Sequence, residues 1–243
     1  LNMNSDSLNI CILAAGKGTR MNSDIPKVLH EINKKPIIHY VIEKSLSLNP
    51  DSTILIIGYK KELVKKSVEN FKVNFAYQDQ QKGTAHAVEQ CLDQLKDKKG
   101  ETLILSGDVP LISIETLSKL ITIHKENKSL ASILSANIND SYGYGRIIRD
   151  ENNNFIKIVE HKDANSEELL INEINSGIYI FNTQVLCNKI PLIKNNNKQA
   201  EYYLTDIFEL IDNNDVSIYT TNNINEINGI NTIEQLKNIE NQL

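Results

Sequence analysis

The sequence has few cysteines and no long apolar run, and both absences narrow what the protein can be. Its 3 cysteines, Cys11, Cys91 and Cys187, lie too far apart in the chain for a disulfide framework or the C-x-x-C spacing of a zinc site. This favours reduced thiols in a cytoplasmic protein. No apolar run approaches the roughly 18 residues that a membrane span needs, and the first residues lack the basic and apolar regions of a signal peptide.

The sequence also lacks an excess of basic residues. It has 26 Lys and Arg against 31 Asp and Glu, a formal net charge of -5, whereas nonspecific nucleic-acid binding needs a basic surface that displaces counterions. A small anionic ligand remains compatible with this charge, because a few local cations suffice. Hydrophobic residues at 40% and charged residues at 23% are typical of a globular chain and exclude disorder, collagen and coiled coil.

Short apolar runs alternate with helical patterns through the first half of the chain. The runs predict strands at 9–13, 53–57, 73–77 and 102–105. The helical patterns lie at 36–48, 61–70, 84–95 and 114–125. Strands that alternate with helices predict an α/β fold with a Rossmann-like, doubly wound and mostly parallel sheet.

After about residue 130 the pattern changes to short strand-like pieces, which predict an inserted lobe of mixed strands on the same core. The strand-like pieces lie at 130–138, 146–149, 155–160 and 173–182. Helical patterns return at 201–212 and 233–242. In open α/β sheets the ligand lies at the carboxyl ends of the strands, so we expect the functional residues to follow the strands directly.

The strongest local motif is the stretch 13–27, LAAGKGTRMNSDIPK, directly after the first strand. Gly16 and Gly18 allow a tight turn whose N–H groups approach an anion. The same stretch supplies three cations, Lys17, Arg20 and Lys27. Met21 stands where a dinucleotide fingerprint needs glycine, and the P-loop spacing is missing. The motif therefore predicts a loop for a triphosphate, with a solvated surface turn as the alternative.

This stretch resembles the signature of the nucleotidyltransferases that activate sugar 1-phosphates. From about residue 9 to residue 243, essentially the whole chain, the sequence is similar to the uridyltransferase domain of the bacterial bifunctional N-acetylglucosamine-1-phosphate uridyltransferases. The resemblance implies that UTP is held by Leu13, Ala14, Ala15, Gly16, Lys17 and Gly18, with Arg20 and Lys27 on its phosphates. It assigns uracil and the neighbouring groups to Gln78, Gly83 and Thr84. Within QQKGTAHAV, Lys82 and Ala85 depart from the family's pattern.

Asp108, in LSGDVPL after the fourth predicted strand, is a hard oxygen ligand at the expected edge of the sheet. The resemblance implies that it holds Mg²⁺ together with Asn231 in INGINTIEQL. Asn228 is a nearby competitor, but Asn231 follows Gly229 and Ile230 in register. The alternatives are turn chemistry for Asp108 and helix capping for Asn231.

The resemblance also implies a sugar-phosphate site. Its residues would be Gly145, Glu160, Asn175, Tyr203 and Thr205. We expect one nucleotidyltransferase domain over residues 1–243, with a nucleotide-binding half at about 9–130 and a sugar-phosphate-binding half at about 131–243. No hexapeptide repeats are present, so the acetyltransferase β-helix and its trimer interface are not expected, and a monomer is.

The activity implied is Mg²⁺-dependent transfer of UMP from UTP to N-acetylglucosamine 1-phosphate, giving pyrophosphate and UDP-N-acetylglucosamine, a cell wall precursor. This reaction needs no general base, because the attacking phosphate is already a nucleophile. One alternative is a nucleotidyltransferase for another sugar 1-phosphate or base. The other is a nonenzymatic nucleotide-sugar-binding regulator, which we would expect to lack the phosphate cations or the metal ligands.

Overall fold

The first half of the chain alternates strands with helices, as the sequence predicts. The structure, a computed structural model, describes residues 7–240. The strands of this half are β1 (Leu8–Ala14), β2 (Glu31–Ile32), β3 (Lys35–Pro36), β4 (Ser52–Ile57), β5 (Asn74–Tyr77) and β6 (Glu101–Ser106). Its helices are α1 (Ile37–Ser47), α2 (Lys61–Ser67), α3 (Thr84–Glu89), α4 (Leu92–Leu95) and α5 (Ile114–Glu126).

The second half consists mainly of strands. These are β7 (Ala131–Asn137), β8 (Arg146–Arg149), β9 (Phe155–Val159), β10 (Glu173–Asn182) and β11 (Val216–Thr221). Its α-helices, within the described residues, are α6 (Thr183–Lys189) and α7 (Ile233–Glu240). The helix predicted at 233–242 is thus confirmed as far as residue 240, and the prediction for its last two residues lies outside the described part of the chain.

One mixed sheet runs through both halves of the chain. Its strands lie in the order β11, β7, β10, β6, β1, β4, β5, with β8 paired to β10 and β9 paired to β8. β1 is parallel to β4 and β6, and β11 is parallel to β7. β10 is antiparallel to both β6 and β7. The predicted α/β class, the mostly parallel first half and the mixed second half are confirmed.

The central strands carry continuous apolar runs because helices or loops cover both faces of the sheet. In β1, Ile10 and Ile12 pack into one core cluster while Cys11 packs into the cluster on the opposite face. The period of two along a strand produces this division. All three side chains are 0% exposed, and burial of each isoleucine contributes roughly 1.5–3 kcal/mol. This burial holds the carboxyl end of β1, and the loop that follows it, in place.

Two predicted helices differ in the structure. The pattern at 84–95 forms two helices, because Gln90 and Cys91 bond to carbonyls three residues back instead of four. The pattern at 201–212 forms a 3₁₀ helix, Leu204–Leu210. Over seven residues, both a 3₁₀ helix and an α-helix bring residues three apart onto one face, so periodicity does not separate the two.

Among the strands and α-helices, the helix α6, the edge strand β11 and the short paired strands β2 and β3 were not predicted. β11 lies at the edge of the sheet, and its outer edge has no neighbouring strand within residues 7–240. Most of its side chains are half-buried. Its sequence therefore lacks the continuous apolar run that marks the central strands. Within residues 7–240, no helix has the length and apolar character needed to cross a bilayer.

Candidate functional site

The loop after β1 folds back on itself because of one glycine. Gly18 has a φ of +67°, and a Cβ placed there would lie 2.5 Å from the Cβ of Lys27. Any side chain at this position would push Lys27 away and strain the backbone. By contrast, a Cβ at Gly16 would meet no atom of the described chain within 4 Å. Open space of this kind beside backbone N–H groups suits a phosphate.

This loop and the ends of β1, β5 and β6 enclose a cavity of about 300 Å³. The cavity brings together most of the residues that the sequence analysis assigned to the nucleotide and the metal. These are Leu13, Ala14, Ala15, Gly16, Lys27, Gln78, Gly83, Thr84 and Asp108. Their position at the carboxyl ends of parallel strands agrees with the location expected for a ligand in an open α/β sheet.

Three predicted residues of the same loop lie outside this lining. Gly18 packs directly against the side chain of Lys27. The Lys17 ammonium lies 5.5 Å from the centre of the Tyr59 ring, a residue that does not line this cavity. The Arg20 guanidinium donates a hydrogen bond to Asn231 Oδ1 over 2.9 Å. Arg20 therefore belongs to the polar cluster at the rim of the cavity, whereas Lys17 is directed elsewhere.

A polar cluster joins the loop to two distant parts of the chain. Lys27 Nζ forms an ion pair with Asp108 Oδ2 and donates to Asn231 Oδ1 over 3.1 Å. Ser106 Oγ donates to the other carboxylate oxygen of Asp108 over 2.6 Å, and Ile230 N donates to the Asp108 carbonyl over 2.9 Å. This arrangement favours Asn231 over Asn228 as the partner of Asp108.

Two side-chain oxygens of this cluster are suitable ligands for a divalent cation. Asp108 Oδ2 and Asn231 Oδ1 already converge on one positive charge, the Lys27 ammonium. Mg²⁺ takes hard oxygen ligands and commonly uses one or two protein groups, with water and substrate phosphates completing its shell. Among residues 7–240, no cluster of three or more His, Cys, Asp or Glu side chains could hold a metal ion. A site completed by substrate oxygens is therefore the kind that fits here.

A buried carboxyl group, that of Glu226, links the chain segment after Asp108 to the segment before Asn231. Glu226 is 2% exposed and accepts three hydrogen bonds. These come from Ser113 N at 3.0 Å, Thr116 Oγ1 at 2.7 Å and Thr221 Oγ1 at 2.8 Å. Buried charges are tolerated when they are bonded in this way. Glu226 thereby ties the start of α5, just after Asp108, to the segment that leads into Asn231.

The opposite end of the cavity is formed by Gln78, Gly83 and Thr84. Gly83 has a φ of +118°, and a Cβ there would lie 2.4 Å from the Tyr202 carbonyl oxygen. The close approach of the two backbones therefore requires glycine. Gln78 is 4% exposed, and its Nε2 lies 3.0 Å from the Gly83 carbonyl and 3.0 Å from His86 Nδ1. Thr84 Oγ1 accepts from Leu204 N over 2.8 Å.

A second cavity, of about 230 Å³, contains four of the five residues assigned to the sugar phosphate. Those four are Gly145, Glu160, Asn175 and Thr205. Thr205 Oγ1 donates to Glu160 Oε1 over 2.9 Å. Burial raises the pKa of Glu160, and the nearby carboxylates Asp163 and Glu201 raise it further. A carboxyl group with one oxygen held by Thr205 can present the other to a hydroxyl group.

A bulge in β10 shapes this second cavity. The pairing of β10 with β7 shifts register between Asn175 and Tyr179, and Asn175 Nδ2 donates to the Tyr179 hydroxyl over 2.6 Å. Bulges commonly redirect side chains next to functional sites. Burial also raises the pKa of Tyr179 above its ordinary range, so its hydroxyl stays neutral and Asn175 is held in one orientation.

The fifth sugar residue, Tyr203, lies elsewhere. It lines a neighbouring cavity of about 510 Å³, and its hydroxyl accepts a hydrogen bond from Gln199 Nε2 over 2.6 Å. Glu160 lines both this cavity and the second one. The large cavity is rich in carboxylates, and burial together with Glu209, Glu160 and Asp163 raises the pKa of Asp206 to about 6.

The first and second cavities share a wall. Leu13, Thr84 and Ser106 line both of them. Two ligands bound in these cavities would therefore meet at the end of β1, next to Asp108. Reaction between two bound substrates needs such proximity, which removes most of the entropic cost of bringing them together.

The sequence matches the nucleotidyl transferase family over residues 10–226. The chain belongs to that family. Its α/β sheet is accordingly the nucleotide-diphospho-sugar transferase fold that the sequence analysis expected.

Individual relatives of this nucleotidyl transferase have one name in common. The chain is 45% identical to the bifunctional protein GlmU of Staphylococcus epidermidis over 96% of this chain and 52% of that protein. It is 46% identical to the GlmU of Clostridium botulinum over 82% of this chain and 44% of that protein. It is 44% identical to the GlmU of Bacillus cereus over 88% of this chain and 47% of that protein. The chain spans about half the length of the curated relatives it matches.

The site of this nucleotidyl transferase also contains residues that the sequence analysis did not single out. They are Gln81, Ser106, Tyr179, Glu201 and Glu226. Ser106 directly precedes the Gly-Asp pair, and Tyr179 follows the Asn-Ser-Gly turn, so position next to a motif was an available signal for both. Glu226 had no local signal, because an acidic residue in a polar segment is usually solvated.

Proposed function

We propose that this protein transfers UMP from UTP to N-acetylglucosamine 1-phosphate, with Mg²⁺, and releases pyrophosphate and UDP-N-acetylglucosamine. The observation that carries the proposal is the shared wall between the two cavities. One cavity has a glycine loop with Lys27 and Asp108, and the other has neutral and acidic hydrogen-bonding groups. The relatives named GlmU, at 44–46% identity, support the choice of base and sugar.

In this reaction a phosphate oxygen of the sugar phosphate attacks the α-phosphorus of UTP, and the bond from that phosphorus to the pyrophosphate breaks. A bound Mg²⁺ would be held by Asp108 and Asn231 and would supply charge neutralisation between the two polyanions. Lys27 and Arg20 take up charge on the departing pyrophosphate. Ser106 holds the Asp108 carboxylate in place through its 2.6 Å hydrogen bond.

The acceptor sugar is oriented by the second cavity. Glu160 and Thr205 share a hydrogen bond and can bind adjacent sugar hydroxyls, while Asn175 offers an amide that suits the acetamido group. Gly145 lines the same cavity, and a Cβ there would make ordinary van der Waals contact with Ile158, Asn175 and Glu160 at 3.4–3.5 Å, so a larger side chain would occupy space next to these groups. These groups position the acceptor and take no part in proton transfer.

The proposal also places the protein in the cytoplasm. UTP and sugar phosphates are found there, and the compartment keeps thiols reduced. All three cysteines are free, and Cys11 and Cys91 are buried. Their state supports this location.

Pyrophosphate release tests the proposal directly. UTP, CTP and dTTP are each combined with N-acetylglucosamine 1-phosphate, glucosamine 1-phosphate and glucose 1-phosphate. We expect release largely confined to UTP with N-acetylglucosamine 1-phosphate, and its loss when EDTA removes Mg²⁺. A different preferred pair would reassign Gln78 or Glu160. Absence of release with every pair would favour a nucleotide-sugar-binding regulator, and calorimetric binding of UDP-N-acetylglucosamine would then test that alternative.

A further inference from the structure

The amide of Gln78 is held by two protein groups. Its Nε2 lies 3.0 Å from the Gly83 carbonyl oxygen and 3.0 Å from His86 Nδ1. Gln78 lines the nucleotide cavity, whereas His86 lines a separate cavity of about 410 Å³ on the other side of α3. His86 therefore acts on the nucleotide cavity through Gln78.

The chemistry of these partners determines which way the amide points. A backbone carbonyl only accepts hydrogen bonds, so the atom that faces Gly83 must be the amide nitrogen. That nitrogen carries two N–H groups, and the second is directed at His86 Nδ1. His86 Nδ1 therefore acts as the acceptor, and its ring carries the proton on Nε2. Gln78 Oε1 makes no hydrogen bond within residues 7–240 and is left for a ligand.

The backbone around this amide is also fixed. Tyr202 N donates to the Lys82 carbonyl over 2.8 Å, and Ala85 N donates to the Tyr202 carbonyl over 2.9 Å. Gln78 N donates to the carbonyl of Ile57, the last residue of β4, over 2.8 Å. The Gly83 carbonyl is therefore held in place, and the Gln78 amide has little freedom to rotate so that its oxygen and nitrogen exchange positions.

We propose that His86 is a positioning residue that, together with the Gly83 carbonyl, holds the Gln78 amide with its oxygen free and thereby contributes to selection of the base of the nucleotide. A free acceptor at this point matches a pyrimidine with an N3–H donor, such as uracil. Cytosine presents an unprotonated N3 there, so two acceptors would face each other. The inference rests on the proposed function, because it assumes that the base lies against Gln78.

Base preference in His86 variants tests this inference. We expect the natural protein to favour UTP over CTP by at least about tenfold in kcat/KM, because an unpaired buried acceptor is costly. His86→Leu removes the acceptor, frees one amide N–H and should reduce that ratio at least about fivefold, mainly through a higher KM for UTP. His86→Asn, whose side-chain oxygen can replace Nδ1, should restore much of the ratio.

A matched control is available in His39. This histidine lies in α1, away from the cavity, and its Nε2 lies 2.9 Å from Ser67 Oγ. His39→Leu should leave the UTP to CTP ratio unchanged. Thermal melts establish that each variant is folded. If His86→Leu does not fold, His86→Lys places a donor at the same half-exposed position and should reduce the ratio further.

An unchanged ratio in a folded His86→Leu or His86→Lys protein would overturn the inference. Failure of the proposed function is recognised separately, as an absence of turnover by the natural protein with any pair. In that case, calorimetric binding of UTP and CTP replaces kcat/KM in the comparison. Equal affinity of the natural protein for the two nucleotides would then overturn the inference.

Discussion

At the scale of single residues, the cluster of Lys27, Asp108 and Asn231 concentrates the chemistry of the site. Asp108 lies 81 residues from Lys27, and Asn231 lies 204 residues from it. Each residue type was predictable from its own motif. Their mutual contact was not, since no local pattern reports which side chains meet across such separations.

The carboxylate of Asp108 provides the first residue-scale prediction. Asp108→Asn keeps the size of the side chain but removes its charge, and we expect kcat to fall roughly 10²-fold or more, as for loss of an electrostatic stabiliser. Pyrophosphate release under saturating UTP and sugar phosphate is the measurement. Asp97→Asn, a change at an exposed residue, should have no effect, and normal turnover in Asp108→Asn would remove Asp108 from the mechanism.

Asp206 provides a prediction about pH and stability. Burial and the neighbouring Glu209, Glu160 and Asp163 raise its pKa to about 6, so the folded state binds the proton more tightly than the unfolded state does. The stability this group contributes is present below about pH 4 and is lost as the pH rises through about 6. At pH 7.5 its charge therefore destabilises the fold.

Asp206→Asn removes that charge. A shift of this size corresponds to about 3 kcal/mol at most, and partial exposure to solvent reduces the expected gain to about 1 kcal/mol. We expect Tm to rise by about 2–4 °C at pH 7.5 and the gain to disappear near pH 4, as measured by calorimetry. Asp97→Asn is again the control. An equal gain at both pH values would contradict the assignment.

At the scale of elements, the loop between β7 and β8 is held by a buried arginine. Arg146 is 2% exposed, and its guanidinium donates to the Tyr144 carbonyl and, over 3.5 Å, to the Leu169 carbonyl. Its Nε has no partner in the described residues, and burial lowers its pKa. Arg146 thus connects the loop that ends at Gly145 to the turn Glu168–Leu170.

Arg146→Met tests this connection. Methionine retains much of the apolar stem, and replacing a buried charge with an apolar group often leaves stability unchanged or raises it. The loop loses its link to the turn, so we expect KM for the sugar phosphate to rise about 5- to 10-fold, as for the loss of one hydrogen bond worth about 1 kcal/mol. KM for UTP should remain unchanged, and an equal rise in both would argue against a role confined to the sugar side.

The sequence predicted elements best where one local signal was decisive. The buried strands β1, β4 and β6 were predicted from a short apolar run in each, which is typical of strands that are covered on both faces. The 3₁₀ helix Leu204–Leu210 and the strand β11 were harder to predict from the sequence. The hydrogen-bond pattern of the first and the parallel neighbour of the second are decided by contacts with distant segments.

At the scale of the whole molecule, the sheet unites the two predicted halves. β10 belongs to the second half and lies between β7 and β6, so its hydrogen bonds cross the division near residue 130. The site is likewise built from both halves, with Gly16 from one and Thr205 from the other. The predictions of one domain over residues 1–243 and of a monomer stay predictions.

Thermal unfolding tests this unity. We expect one cooperative transition, because the halves share a sheet and a core. UTP with Mg²⁺ at about 100 times its Kd should stabilise the protein by about 2.7 kcal/mol and raise Tm by about 5–10 °C. Calorimetry with and without the nucleotide is the measurement. Two transitions, of which UTP shifts one, would show that the halves unfold independently.

The sequence by itself determined the alternation of strands and helices, the glycine loop and the types of residue in the site. These follow from short-range effects, since side-chain period and glycine geometry act over a few neighbouring residues. The tertiary structure decided that Asn231 meets Lys27, that Tyr203 lies outside the sugar cavity, and that His86 holds Gln78. Such contacts depend on strand order and on packing between distant segments, which no local pattern encodes.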